Sequence, residues 1–389
     1  MMTSDRQHDT VNSAAGLIPF GHLGWGYRRR GDFELRAVEY LTDGLRAHQY
    51  VMYVGAGTSK SLARQVDTLR SRLPSDVSKG RIHAVPIQHF YAFLPGTDIV
   101  DPETSVAAGI AATQRAIAGG FSGLRAVVDG TAVARTPDQR ESFSACEFLM
   151  DQQMAKLPVS ALCAYDVQEL GLGATGLVCL HPYVNAGAAP FQIYSAGGTD
   201  IAVCGEIDAC SDGILMEALR TIWRRGSRTH VGIDASALAF LAVGSLHRLN
   251  DAARRDGIMV TLQMSSPLPI RLPGRSSLSN VLVEVAQRDC PAPVAADDLQ
   301  RQLADLRNKL ASQPVIEQAK GMLMQAFGLT AEHAFQIIKA LSQDGNIKLR
   351  EAARQLVDTW ASQGPRPGYD AASEFLLRLR HQLRHDEMR

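Results

Sequence analysis

The 389-residue chain has no net charge: 40 lysines and arginines balance 40 aspartates and glutamates. No global field therefore draws it to nucleic acid or to an anionic membrane, and any such contact has to come from a local patch. No stretch approaches the roughly 20 apolar residues of a membrane helix. Residues 1–19 lack the charged start and apolar core of a signal peptide, which predicts a cytoplasmic protein with no membrane contact. The six cysteines, Cys146, Cys163, Cys179, Cys204, Cys210 and Cys290, show no CxxC pair and no His/Cys ligand spacing. They read as reduced structural thiols. No internal repeat of about 20–50 residues is present. No nucleophile, base and orienting group form a legible set, so no enzyme is expected.

What the chain does have is a helical pattern near its carboxyl end. Ile316, Ala319, Leu323, Ala326 and Phe327 fall on one face of a helix. Gly328 is placed to end that helix in a left-handed cap, and Thr330 to cap the next. Gly321 lies on roughly the opposite side, where glycine costs about 1 kcal/mol relative to alanine, so the bare backbone has a use there. Phe335, Ile338 and Leu341 carry a second apolar face. Leu349, Ala352, Ala353, Leu356, Val357 and Trp360 carry a third, leaving Lys348, Arg350, Glu351, Arg354 and Gln355 on its solvent side. Upstream, Leu299, Leu303, Leu306 and Leu310 are spaced as a short coiled-coil seam.

The segments "AKGMLMQAFGLTAEHAF" and "SQDGNIKLREAARQLV" resemble the ANTAR domain, a helical RNA-binding module of bacterial transcription antiterminators. The resemblance runs from Val315 to Val357 and includes Ala319, Lys320, Gly321, Leu323, Met324, Gly328, Ala334, Asn346, Lys348, Leu349 and Ala353. It implies binding to RNA stem-loops of nascent transcripts, as a homodimer joined by the coiled coil. Phosphate contacts are expected from Lys320, Lys348, Arg350 and Arg354, and base readout from Gln318, Gln343 and Asn346. A bundle that only mediates protein contacts is the competing reading of the same faces.

Between about Phe20 and Tyr183, apolar runs at Tyr50–Val54, Ile82–Ile87, Leu124–Val128 and Ala161–Tyr165 alternate with helical stretches. That order predicts a doubly wound, mostly parallel sheet. Gly55-Ala56-Gly57-Thr58-Ser59-Lys60 follows a strand but lacks the spacing of a phosphate loop, and reads as a capped turn. "GHLGWGYRRRGDFELRAVEYLTDGL", "GLRAVVDGT" and "LCAYDVQEL" followed by "VCLHP" resemble the MEDS sensory domain of bacterial regulators. The resemblance implies detection of an unidentified small organic molecule without turnover. By position it puts His22, Tyr27, Asp129, Glu147, Tyr165, Asp166 and His181 around the ligand. His22 and His181 could in principle hold a metal, but their spacing requires none, and neither metal nor cofactor is expected.

In the middle of the chain, Phe191–Tyr194 and Ile201–Gly205 read as a hairpin, followed by a helix, a strand at His230–Asp234, a helix and a strand at Ile258–Leu262. "CGEIDACSDGILMEALRTI" and "VGIDASALAFLAVGSLHRLNDAARRDGIMVTL" resemble a STAS domain, the fold of anti-sigma-factor antagonists. The phosphorylatable loop of that family falls here on Ala242-Val243-Gly244-Ser245, where Ala242 and Val243 cannot accept a phosphate.

The expected architecture is thus α/β multidomain: a disordered tail (1–19), a MEDS-like sensing domain (20–186), a small STAS-like α/β domain (190–288) and a linker (289–297). An all-α coiled coil and three-helix bundle (298–362) and a carboxyl-terminal amphipathic helix (363–389) complete it. The expected function is signal-responsive transcription antitermination. The alternative is an anti-sigma-antagonist-like regulator that works through a protein partner without RNA.

Overall fold

The computed structural model describes residues 7–17, 21–77, 80–197, 199–224, 229–265, 278–285, 314–345 and 347–363. Its amino-terminal part is built in chain order from β1 (Asp9–Val11), β2 (His22–Tyr27), α1 (Arg30–Arg46), β3 (Tyr50–Gly55), α2 (Ser59–Arg70), β4 (Ile82–Pro86) and α3 (Ile87–Phe90). There follow α4 (Pro102–Ala118), β5 (Leu124–Asp129), α5 (Pro137–Met154), β6 (Val159–Asp166), α6 (Val167–Leu170), α7 (Leu172–Val178) and β7 (Tyr183–Asn185). The strands form a seven-stranded sheet in the order β1-β7-β2-β6-β5-β3-β4. Every pairing in it is parallel.

Strand alternation sorts the core into two layers. Leu23, Trp25, Val127 and Leu162 pack with Phe33, Leu41 and Leu62 on the side of α1 and α2. Ala126, Val128, Ala161, Cys163 and Tyr165 pack with Phe143, Ala174 and Leu177 on the side of α5 and α7. Helix α5 starts on a reciprocal cap: Gln139 N–H donates to Thr136 Oγ1 while the Gln139 side chain takes the Thr136 amide. Pro137 at its first position needs no hydrogen-bond partner there.

The expected disordered tail is in part ordered. Asp9–Val11 pairs with Tyr183–Asn185 at the sheet edge. Glu39 accepts hydrogen bonds from Ser13 Oγ and the Ala14 amide, and Ala14 is fully buried. A three-residue strand with a single apolar residue, Val11, has no hydrophobic period to reveal it.

The middle part consists of β8 (Phe191–Tyr194), β9 (Ile201–Ile207), α8 (Asp212–Arg224), β10 (His230–Asp234), β11 (Leu238–Leu241), α9 (Val243–Asp256), β12 (Met259–Met264) and β13 (Val281–Val285). Its sheet runs β11-β9-β10-β12-β13, with β8 antiparallel to β9. The hairpin of β8 and β9 appears as expected, whereas β11 and β13 were not anticipated. Phe148, Cys179 and Leu180 from the first domain join Ile193, Leu215 and Trp223 in one buried cluster. The two α/β domains therefore share a core.

The carboxyl-terminal bundle comprises α10 (residues 314–327), α11 (Ala331–Asp344) and α12 (Leu349–Gln363). Ala319, Leu323, Ile338, Leu341, Ala352, Ala353 and Leu356 are its buried centre. Gly328 has φ +64°, and Thr330 Oγ1 accepts from the His333 amide, as the pattern implied. The leucine seam at 299–310, the linker at 289–297 and the region from residue 364 lie outside the described residues, as does Asn346.

Candidate ligand-sensing site and nucleic-acid interface

Strand β2 carries glycine at two successive inward positions, Gly24 and Gly26, in register with Cys163 and Tyr165 of β6. That leaves a bare strip on the sheet. His181, just after α7, lies on it so closely that a Cβ at Gly24 would come within 2.8 Å of His181 Nδ1. Helix α5 contributes two carboxylates one turn apart, Glu147 and Asp151, both buried.

His22 bridges them. Its Nδ1 is 2.9 Å from Asp151 Oδ1 and its Nε2 is 3.2 Å from Glu147 Oε2. Tyr165 donates its hydroxyl proton to the other oxygen, Glu147 Oε1, at 3.0 Å. Cys163 Sγ is 3.5 Å from Glu147 Oε2 and 3.6 Å from His22 Nε2. His181 Nδ1 is 3.1 Å from the Leu177 carbonyl oxygen, so the proton of a neutral ring sits on that nitrogen. Its Nε2 is 3.5 Å from Glu147 Oε2 and has no hydrogen-bond partner.

Burial and charge act on these groups in opposite senses. For His22, burial pulls the pKa down, but Asp151 and Glu147 outweigh it and the net shift is upward. For Glu147, burial acts upward, yet the two histidines hold its carboxyl well below the usual range. Burial and the neighbouring charge of His22 push His181 down, and burial pushes the Cys163 thiol up. Glu147 and Cys163 face a cavity of about 210 Å³ between the sheet and α4 and α5. Its remaining walls are mostly apolar, among them Met52, Ala126, Val128 and Met150.

His22, Glu147, Tyr165 and His181 thus lie in one cluster, and Tyr27, Asp129 and Asp166 do not join them. Those three sit at the carboxyl ends of the strands and are engaged otherwise. Asp129 takes an ion pair from Arg30 at 2.5 Å and a hydrogen bond from Tyr27 at 3.2 Å. Arg30 also contacts the Tyr53 hydroxyl, whose pKa burial pushes up to about 12. Asp166 caps α6 through the amides of Gln168 and Glu169.

In the bundle, the expected RNA-contacting residues divide into two sets. Gln318 and Gln343 are exposed, and among the described residues Lys320 and Arg354 pair with neighbours on their own helices, Glu317 and Glu351. Lys348 and Arg350 instead meet one carboxylate of the middle domain: Glu206 Oε2 is 2.5 Å from Lys348 Nζ and 2.6 Å from Arg350 Nη2. Lys348 is only 9% exposed, so the expectation that it lies on a solvated face is corrected. Helical periodicity sorts faces within one element and has no information about a neighbouring domain.

The amino-terminal domain matches the MEDS family, described as MEthanogen/methylotroph, DcmR Sensory domain, over residues 21–182. The bundle matches the ANTAR domain over residues 304–357. The chain carries a MEDS domain and an ANTAR domain. No curated protein matches the chain. Neither family match reaches residues 183–303, so the STAS resemblance of the middle domain stands on its sequence pattern alone. MEDS and ANTAR are regulatory rather than catalytic families. Among the described residues, no helix is long and apolar enough to cross a membrane.

Two residues of this candidate site carry no signal in the sequence pattern. Asp151 was visible only as the second carboxylate, four residues after Glu147, on the buried side of α5. Cys163 was read as structural because its partners are distant in sequence, at positions 22, 147 and 181. In the middle domain, Ser245 is fully buried with its hydroxyl 3.3 Å from Asp212, which puts it out of reach of a kinase.

Proposed function

We propose that this protein is a cytoplasmic, signal-responsive antitermination regulator. Its MEDS domain receives a small molecule in the cavity beside Glu147 and Cys163, and its ANTAR domain binds RNA stem-loops as part of a homodimer. The observation that carries the reading is the hold of Glu206 on Lys348 and Arg350, two cations expected to meet RNA phosphate. In this state they are occupied by protein.

A short route joins the cavity to that carboxylate. His22 holds Asp151 Oδ1, and Asp151 Oδ2 accepts the backbone amide of Ser195 at 2.8 Å. Ser195 directly follows β8, which is paired along β9, the strand that carries Glu206. The Glu206 amide in turn donates to the Pro190 carbonyl next to β8. A ligand that moves α5 or the His22–Asp151 pair shifts this hairpin and changes the grip on the ANTAR domain. Such coupling requires that the ligand bind the released and held states with different affinity.

The test is titration of the full-length protein against a two-hairpin RNA at two salt concentrations, with a panel of small organic molecules that fit a mostly apolar cavity of about 210 Å³ present or absent. The reading expects salt-dependent RNA binding that one of these compounds changes. RNA binding that is absent under every condition, including after substitution of Glu206, overturns it.

A further inference from the structure

We propose that His22 Nε2, Glu147 Oε2, Cys163 Sγ and His181 Nε2 hold one divalent transition-metal ion of the Zn²⁺ class at the inner end of the MEDS cavity. The proposal rests on the sensory reading of this domain and states what the sensing site contains. All four ligand atoms lie within 4.8 Å of one another, and all four residues are buried.

The spacing suits a tetrahedral ion. Bonds of about 2.0–2.3 Å to nitrogen, oxygen and sulfur place neighbouring ligand atoms about 3.3–3.6 Å apart. The corresponding separations here are 3.2 Å for His22 to Glu147, 3.5 Å for Glu147 to Cys163, 3.5 Å for Glu147 to His181 and 3.6 Å for His22 to Cys163. The two remaining pairs, His181 with His22 and with Cys163, lie within 4.8 Å, so His181 closes on the other three when an ion is seated.

One contact in the network is long for a shared proton: His181 Nε2 stands 3.5 Å from Glu147 Oε2. His181 Nδ1 faces a carbonyl oxygen, so it carries the proton of the neutral ring. In the neutral ring the lone pair on the buried Nε2 then points at a carboxylate oxygen with no hydrogen between them. An unsatisfied buried acceptor of this kind is destabilising. A cation placed between the two lone pairs removes the conflict.

The surrounding contacts are those that orient metal ligands. Asp151 fixes His22 through Nδ1, the Leu177 carbonyl fixes His181 through Nδ1, and Tyr165 fixes Glu147 through Oε1. Gly24 supplies the room His181 needs to reach the cluster. Two imidazoles, a thiolate and a carboxylate select Zn²⁺ or a related borderline ion over Mg²⁺ or Ca²⁺, which prefer oxygen. On binding, the proton of the Cys163 thiol and any Nε2 proton on His22 pass to solvent as the metal–sulfur and metal–nitrogen bonds form. With four protein ligands in place, a small oxygen- or sulfur-bearing molecule in the cavity reaches the ion only by adding as a fifth ligand.

The experiment uses the full-length chain, purified without metal-affinity steps, for elemental analysis. Chelated protein is then titrated with Co²⁺ and back-titrated with Zn²⁺. The expected result is one ion per chain, tetrahedral d–d absorption with Co²⁺, and a thiolate-to-cobalt charge-transfer band that Zn²⁺ displaces. In Cys163→Ser, close in shape to the natural residue, the charge-transfer band disappears while d–d absorption persists. Asp151→Asn weakens Co²⁺ binding about 10–100-fold. Less than about a tenth of an equivalent of metal with no Co²⁺ spectrum, or a spectrum unchanged in Cys163→Ser, overturns the site. Ligand-dependent RNA binding by a chain that takes no metal sinks this proposal and leaves the sensory reading standing. A bound metal with no ligand response does the reverse.

Discussion

Replacing Glu206 with glutamine tests the link between the middle domain and the RNA-binding bundle. The substitution keeps the shape of the side chain and removes the charge that Lys348 and Arg350 share. Hydrogen bonds to charged groups contribute about 1.5–3 kcal/mol each when buried. Here the Glu206 side chain is 22% exposed and Arg350 33% exposed, so solvent screening reduces the pair of contacts to about 1–2 kcal/mol together. That energy is a factor of about 5–30 in the balance between held and released bundles. Where the held form dominates, the apparent RNA affinity rises by the same factor, because affinity scales with the competent fraction. Fluorescence anisotropy with a labelled two-hairpin RNA reads this directly. The gap between wild type and Glu206→Gln should narrow as salt increases, since salt loosens the ion pairs of the held form as well as the RNA complex. Adding Lys348→Ala to Glu206→Gln should then lower the salt slope by about 0.7–0.9, one phosphate contact. Equal RNA affinity of wild type and Glu206→Gln at low salt would refute the idea that Glu206 restrains the bundle.

Three further outcomes are expected. Asp256→Ala should cost about 1–3 kcal/mol in chemical denaturation, because Trp223 Nε1–H, which donates to Asp256 at 3.0 Å, loses its acceptor in a side chain only 1% exposed. The hydrogen bond from Arg220, working against burial and aided by Arg224 and Trp223, holds the Asp256 carboxyl below its ordinary value of about 3.8. Its folded pKa being depressed, its stabilisation is full above about pH 3.8 and fades as pH falls from there, so the difference between wild type and Asp256→Asn should close in acid. Gly321→Ala should stabilise the bundle by about 0.5–1 kcal/mol, because a Cβ there meets nothing within 4 Å; if RNA approaches that bare backbone, the same variant binds RNA more weakly in the anisotropy assay. Removing metal with a strong chelator should lower the melting temperature by about 5 °C or more relative to protein held at 100-fold excess over the metal dissociation constant, where binding adds about 2.7 kcal/mol; an unchanged melt would count against a metal in the MEDS core.

Much of the fold was legible in residue order. The alternation of apolar runs with amphipathic stretches predicted the parallel sheet, and the strands beginning at Tyr50, Ile82 and Leu124 begin where the pattern put them. Gly328 and Thr330 marked the corner between α10 and α11, because a left-handed backbone and a side-chain cap are local requirements. Strand β1 is invisible in the pattern for the opposite reason: Asp9, Thr10 and Val11 find their partner more than 170 positions away, and one apolar residue in three makes no period.

The sites divide along the same line. Sequence by itself determined which residues can carry chemistry and which face of each helix or strand they occupy, since those follow from periods of 3.6 and 2. It could not bring His22, Glu147, Cys163 and His181 to one point, separate Tyr27 and Asp129 from them, or set Glu206 against Lys348 and Arg350. Those meetings depend on which strands adjoin, how closely His181 approaches a strand bared by Gly24, and which domain covers the start of α12. Spacing along a chain encodes direction within one element, whereas contact between distant elements is decided only when the shared core packs.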